Sequence, residues 1–204
     1  MLSDKNTELL KEGAKEYSVI LSNEQTKKFS QYARLLVEWN EKINLTAITE
    51  PEDIVIKHFL DSLSIAGLIP NESKTLVDVG TGAGFPGIPL KITKKNLKVT
   101  LLDSLAKRIN FLNEVCNYLM LEDILAVHSR AEDFGADPKY RESFDFAVAR
   151  AVAGLPVLLE YCLPLVKVGG IFIAMKGPDG REELNESRKA MDVLGGEIED
   201  VDFF

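Results

Sequence analysis

The chain has 204 residues, 46% of them hydrophobic, and 24 Lys and Arg against 32 Asp and Glu for a formal net charge of −8. No apolar run is long enough to span a membrane, and the N-terminus lacks the basic and apolar segments of a signal peptide, so a soluble cytoplasmic protein of one ordinary domain plus a modest extension is expected. Two histidines seventy residues apart and two cysteines without clustered spacing exclude a multi-histidine metal centre and point to buried reduced thiols, and no metal is expected.

Residues 1–22 are polar with scattered leucines and predict a short frayed helix near 7–15. Ser22-Asn23-Glu24-Gln25 reads as a capping box, and Phe29, Tyr32, Ala33, Leu36, Val37 and Ile43 recur at helical spacing over 23–43. A connector follows, and 52–67 reads as a second amphipathic helix with His58, Asp61 and Ser62 on one face. These three form either a local hydrogen-bonded set or a polar lip over the substrate opening. Residues 1–72 are thus a helical extension, and 73–204 the main domain.

From Lys74 onward, strand-like and helix-like runs alternate. Strands are expected at 75–79, 97–102, 123–127, 144–149 and, after a Gly169-Gly170 turn, 171–176. Between them lie helices at 87–93 and beyond a Ser104 cap; a polar helix over 180–194 ends at Gly195-Gly196, and 198–204 reads as a last strand. This alternation predicts a doubly wound α/β fold with a mostly parallel sheet, whose ligand crevice lies at the carboxyl ends of the strands.

The first strand runs into Gly80-Thr81-Gly82-Ala83-Gly84-Phe85-Pro86-Gly87. Gly82 to Gly87 matches G-x-G-x-x-G, a weak signal alone. Three features argue against a pyrophosphate ligand: Asp78 sends a carboxylate toward the crevice, Phe85 adds bulk, and Pro86 removes an N–H that a phosphate would use. A carboxylate suits a cationic ligand such as the amino group of S-adenosylmethionine. Asp103 ends the second strand nineteen residues past Gly84, where it can accept from both ribose hydroxyls. NAD sites use the same device.

The remaining strand ends carry His128-Ser129-Arg130-Ala131-Glu132-Asp133, read as an adenine clamp or a helix-capping turn, and Arg150 within an apolar run. An arginine there must pair with a carboxylate or face the ligands. The acidic balance disfavours binding to free RNA, despite basic stretches at Lys91, Lys94, Lys95, Lys98 and Lys107-Arg108, so an RNA-directed protein of this charge needs a structured partner for docking.

Taken together, Asn40-Glu41-Lys42-Ile43-Asn44-Leu45-Thr46-Ala47-Ile48, Lys57-His58-Phe59-Leu60-Asp61-Ser62-Leu63, Val77 to Leu90, Ser129-Arg130-Ala131-Glu132 and Ala149-Arg150-Ala151 resemble, in order and spacing, the RsmG family, formerly glucose-inhibited division protein B. The resemblance spans nearly the whole chain. It implies a Rossmann-like class I S-adenosylmethionine-dependent methyltransferase fold, and methylation of guanine N7 in the decoding-site loop of 16S rRNA within the small ribosomal subunit or its assembly intermediate. It places cofactor contacts on Gly80, Phe85, Ala131, Glu132 and Arg150, while Gly82 and Asp103 match the wider methyltransferase pattern and Asp78 joins them by its position. The family continues through a further strand and a basic tail beyond the position of Phe204. Guanine N7 carries no proton, so no general base is required; Arg150, Arg130, Lys176 and His58 are the candidate substrate orienters. A monomer is expected. The alternatives are methyl transfer to another acceptor, an NAD-binding oxidoreductase, and a ribosome-binding protein that keeps S-adenosylmethionine without transferring its methyl.

Overall fold

A computed structural model describes residues 2–202. Its centre is a five-stranded sheet in the order β3-β2-β1-β4-β5, with every pairing parallel. The strands are β1 (Thr75–Val79), β2 (Lys98–Asp103), β3 (Ile124–His128), β4 (Phe144–Arg150) and β5 (Val166–Met175). The three central strands are covered on both faces, which is why they read as nearly continuous apolar runs. Leu76, Val99, Leu101 and Val148 pack on one side with residues of α1 (Asp4–Glu16), α2 (Asn23–Ile43), α5 (Gly87–Thr93) and α6 (Ala106–Tyr118). Val77, Val79, Leu102, Ala147 and Ala149 face the other side, toward α7 (Ala131–Ala136), α8 (Leu155–Cys162) and α10 (Arg188–Leu194).

Chain order and spatial order part company between β1 and β4, whose neighbours run in opposite directions across the sheet. At such a switch point the loops leaving the two strands diverge and open a crevice at their carboxyl ends. Asp78 and Gly80 stand at that end of β1, and Arg150 at that end of β4.

The N-terminal helices pack into the same apolar cluster as α5 and α6, with Phe29, Tyr32 and Phe59 buried beside Ile88, Leu101 and Phe111. The predicted capping box forms in full: Ser22 Oγ accepts from the Gln25 amide, and the Gln25 side chain accepts from the Ser22 amide. Such a cap is worth about 1 kcal/mol.

Several elements depart from expectation. The helix expected over 52–67 is broken into α3 (Pro51–Ile54), a π-helical turn (Val55–Leu60), α4 (Asp61–Leu63) and a 3₁₀ turn (Ala66–Leu68). Ser104 does not cap α6; the start of that helix is instead fixed by Asp103 Oδ1, which accepts from the Leu105 amide. Gly169 and Gly170 lie within β5 rather than before it, where the register jumps from Phe144–Val166 to Phe146–Ile171 and Gly169 supplies a φ of +79°. The polar helix divides into α9 (Gly180–Glu186) and α10, because Ser187 turns inward and donates to the Glu183 carbonyl. The strand expected over 198–204 is not formed over 198–202, which make no ladder with β5; Phe203 and Phe204 lie outside the described residues. A scattering of apolar residues gives no strand without a paired backbone. Among the described residues, no helix is long and apolar enough to cross a membrane.

Candidate active site

The glycine loop owes its shape to Asp78. This carboxylate is fully buried beneath the loop, where Oδ2 accepts from Thr81 Oγ1 at 2.6 Å and from the Gly87 amide at 2.8 Å. Its Oδ1 is buried without a hydrogen-bond partner, and burial raises the carboxyl pKa to about 6. The side chain expected to reach into the crevice therefore braces the loop from below. Glycine is required above it: a Cβ on Gly87 would stand 2.8 Å from Asp78 Oδ2 and 2.5 Å from Leu101 Cδ2. Gly80 and Gly82 take φ of +68° and +60°, which L side chains adopt only with strain. At Gly82 the nearest atom to such a Cβ is 3.9 Å away, so the crest of the loop faces open space.

Asp103 closes this half of the crevice. It is buried, and Oδ2 accepts from the Gly82 amide at 2.9 Å and from Arg108 at 3.2 Å, with Oδ1 taking the Leu105 amide. A carboxylate has about four acceptor positions, so one stays open and a second is held only by the partly exposed Arg108. Backbone dihedrals that favour glycine, an open crest and an acidic acceptor beside it match the needs of a ribose-bearing ligand such as S-adenosylmethionine.

The opposite half is built from the N-terminal extension and the end of β4. Arg150 donates through one guanidinium nitrogen to Asp61 Oδ2 and, at 3.1 Å, to the Lys57 carbonyl. Its other terminal nitrogen donates to His58 Nδ1 at 3.2 Å. Since Nδ1 accepts, the proton sits on Nε2, which donates to Thr46 Oγ1 at 2.9 Å. The imidazole is thereby held neutral, and burial together with the adjacent guanidinium lowers its pKa to about 4. The π-helical turn carries Lys57 and His58, both partners of Arg150. Thr46 is delivered by the connector, where Asn40 Oδ1 accepts from the amides of Leu45 and Thr46 and Asn44 takes a left-handed φ of +35°.

The two halves meet at Phe85. Its ring stacks on His58 with centroids 4.4 Å apart, the Arg150 guanidinium lies 5.1 Å from its centroid, and Tyr32 stacks at 5.3 Å. Tyr32 also donates to the Ala83 carbonyl, tying α2 to the loop. Two clefts open beside Arg150: one is lined by Asp61, Ala151, Met175, Lys176 and Glu183, the other by Ile56, Lys57, His58 and Asp61. Ala151 holds a φ of +54°, a strained conformation for alanine of a kind that clusters at functional sites.

Of the candidate orienters, Arg150 and His58 are thus in contact. Lys176 lines the same cleft but is engaged by Glu183 Oε2 at 2.7 Å and by the Ala153 carbonyl at 2.8 Å. Arg130, Ala131 and Glu132 open α7; Arg130 and Glu132 are exposed, and none of the three lines either cleft. His58 and Asp61 share Arg150 rather than bonding each other, while Ser62 Oγ donates to the His58 carbonyl at 2.5 Å. Thr46 and Asn40 do not stand out by residue chemistry. For Thr46 the signal is the compact Asn44-Leu45-Thr46 connector itself, whose polar residues have no apolar periodicity to explain them, while Asn40 sits near the end of α2. Among the described residues, no group of three His, Cys, Asp or Glu is placed to hold a metal ion.

Residues 25–204 match the model of the family described as rRNA small subunit methyltransferase G. The ribosomal RNA small subunit methyltransferase G of Acetivibrio thermocellus is 60% identical over 193 residues, covering 95% of this chain and 79% of the relative. That of Thermoanaerobacter sp. strain X514 is 56% identical over 202 residues, covering 98% and 84%. Among solved structures, P. horikoshii TYW2 in complex with MeSAdo has a TM-score of 0.57 at 19% identity, covering 66% of this chain and 51% of that one. A SAM dependent methyltransferase from Aquifex aeolicus has a TM-score of 0.52 at 22% identity, covering 72% and 83%. These structural likenesses establish the shared Rossmann-like fold.

Proposed function

The chain belongs to the rRNA small subunit methyltransferase G family, and from that membership we propose that it transfers the methyl of S-adenosylmethionine to N7 of a guanine in the decoding-site loop of 16S rRNA. The observation that carries the reading is the meeting, at the β1/β4 switch point, of a glycine loop with an acidic ribose acceptor and a second face built around Arg150.

S-adenosylmethionine, when bound, supplies an electrophilic methyl on its sulfonium. Everything else falls to the chain. The backbone of Gly80 and Gly82 admits the ligand close to β1, and Asp103 accepts from its ribose hydroxyls as Arg108 yields. Guanine N7 offers a lone pair and no proton, so the residues need only align acceptor and donor and exclude water, a contribution worth about 7–11 kcal/mol when complete. Arg150 is suited to donate to guanine O6 or to a nearby phosphate, because His58 and Asp61 fix its plane. Neutral His58 keeps a second positive charge away from that guanidinium. Lys176, held by Glu183, lines the far wall.

In the same proposal, residues 1–72 form an extension that supplies Thr46, His58 and Asp61 to a methyltransferase core over 73–204. The protein acts as a soluble cytoplasmic monomer, and its acidic charge favours an assembled subunit or assembly intermediate over naked RNA. The test is methyl transfer from labelled S-adenosylmethionine to small subunits from cells lacking this protein. Label released from 16S rRNA as 7-methylguanine supports the reading; cofactor binding without label in the rRNA sinks it.

A further inference from the structure

Asp61 stands where the two clefts adjoin, since both are lined by Asp61 and Arg150. Its side chain is 38% exposed beside an arginine side chain only 15% exposed. One oxygen, Oδ2, receives Arg150; Oδ1 takes no part in that bond. The other carboxylates on the cleft are placed differently. Glu183 Oε2 is committed to the Leu155 amide at 2.6 Å and to Lys176 at 2.7 Å, and Asp179 lies exposed before α9.

An arginine donor next to a carboxylate acceptor is a readable pair. Guanine presents the O6 acceptor beside the N1–H and N2–H₂ donors, so it meets donor with acceptor and acceptor with donor. Adenine presents an amino group and then a bare ring nitrogen, which reverses both contacts. Reading this edge also leaves N7, on the five-membered ring, free to react.

We infer that Asp61 is the guanine-reading residue of this site: its carboxylate accepts from N1–H and N2–H₂ of the target base while Arg150 donates to O6. This assignment rests on the guanine-N7 reading above. It gives the N-terminal extension a direct part in substrate choice, because the HFLDSL segment brings Asp61 to the crevice from outside the sheet.

The experiment is single-turnover methyl transfer to small subunits reconstituted with 16S rRNA that carries either guanosine or inosine, which lacks the N2 amino group, at the methylated position. Wild-type protein is expected to slow at least roughly tenfold on inosine, as loss of a hydrogen bond to a charged group requires. Asp61→Ala is expected to be slow on guanosine and to treat the two bases alike. Asp61→Asn, nearly isosteric and checked for folding by cofactor titration, is expected to lower the ratio without abolishing it, because its neutral amide oxygen accepts more weakly from N2–H₂ than a carboxylate does. A carboxylate that merely supports Arg150 would leave the guanosine-to-inosine ratio unchanged in both variants, and that result overturns the assignment. Wild-type protein giving no label on guanosine subunits overturns the functional reading itself, and Asp61 with it.

Discussion

The two halves of the crevice are made by opposite means. The loop half, from Asp78 to Gly87, is braced by Asp78 through bonds that span only three and nine residues, and at Gly80, Gly84 and Gly87 a Cβ would collide with packed neighbours. The Arg150 half is assembled from distant pieces, with the arginine 89 residues from Asp61 and 92 from His58. A backbone-shaped site fails when an atom is added at its packed glycines, whereas one made of side chains tolerates shape changes and fails by losing a charge or a hydrogen bond.

Gly87→Ala tests the first half and is expected to have the largest effect. The new methyl meets buried Leu101 and the Asp78 carboxylate, so stability should fall by about 3 kcal/mol. Urea unfolding measures this directly, and an unchanged midpoint would mean that the loop is held otherwise than by Asp78.

Arg150→Ala tests the second half. Turnover should drop by about 10²-fold through misplacement of the acceptor. Stability should fall by only about 1–3 kcal/mol, from the partners left unpaired. Arg150→Lys keeps the charge but cannot serve Asp61 and His58 from one rigid fork, so single-turnover rates should stay low. Recovery of the rate with lysine would reduce Arg150 to a point charge.

Acid should separate the halves further. His58 has a folded pKa near 4 against an ordinary 6.5, so the unfolded chain takes up this proton first as the pH falls. Its contribution to stability is complete above about 6.5 and is lost on acidification toward 4. Asp78 runs the other way: with its pKa raised to about 6 from 3.8, the penalty of burying its charge is complete above about 6 and relieved on acidification. Comparing His58→Gln with wild type at several pH values isolates the first effect, and the variant should lose less stability between pH 6.5 and 4. Equal losses would show that His58 gains its positive charge in the fold as readily as in the unfolded chain.

Thr46→Val is the mildest probe. It removes the acceptor for His58 Nε2 and for the Ile48 amide while nearly keeping volume, and should cost about 1 kcal/mol by thermal or urea unfolding.

The same contrast explains what the sequence could reveal. The loop, the strand ends and the sheet were legible because glycine spacing and apolar runs are short-range signals. Asp78 was placed at the right strand end but with the wrong direction for its carboxylate, since the bond to Gly87 forms only once the loop has closed. Arg150 posed a choice between a carboxylate partner and a ligand-facing position, and the fold gives it both a carboxylate and a cleft. Thr46 carries no periodic signal, and the helical spacing of 52–67 does not distinguish a π-helical turn from a continuous α-helix, so only the packed structure shows how both position His58. The last strand failed for a related reason: 198–202 hold only Ile198 and Val201 as apolar residues, three apart, and a strand requires a neighbour to pair with.

The division of labour across the crevice is tested most directly by titrating S-adenosylmethionine calorimetrically into Asp103→Ala and Asp61→Asn side by side. The account predicts that Asp103→Ala loses affinity by roughly tenfold or more, while Asp61→Asn binds as the wild type does. Cofactor affinity lost equally in both variants, or retained in Asp103→Ala, would contradict it.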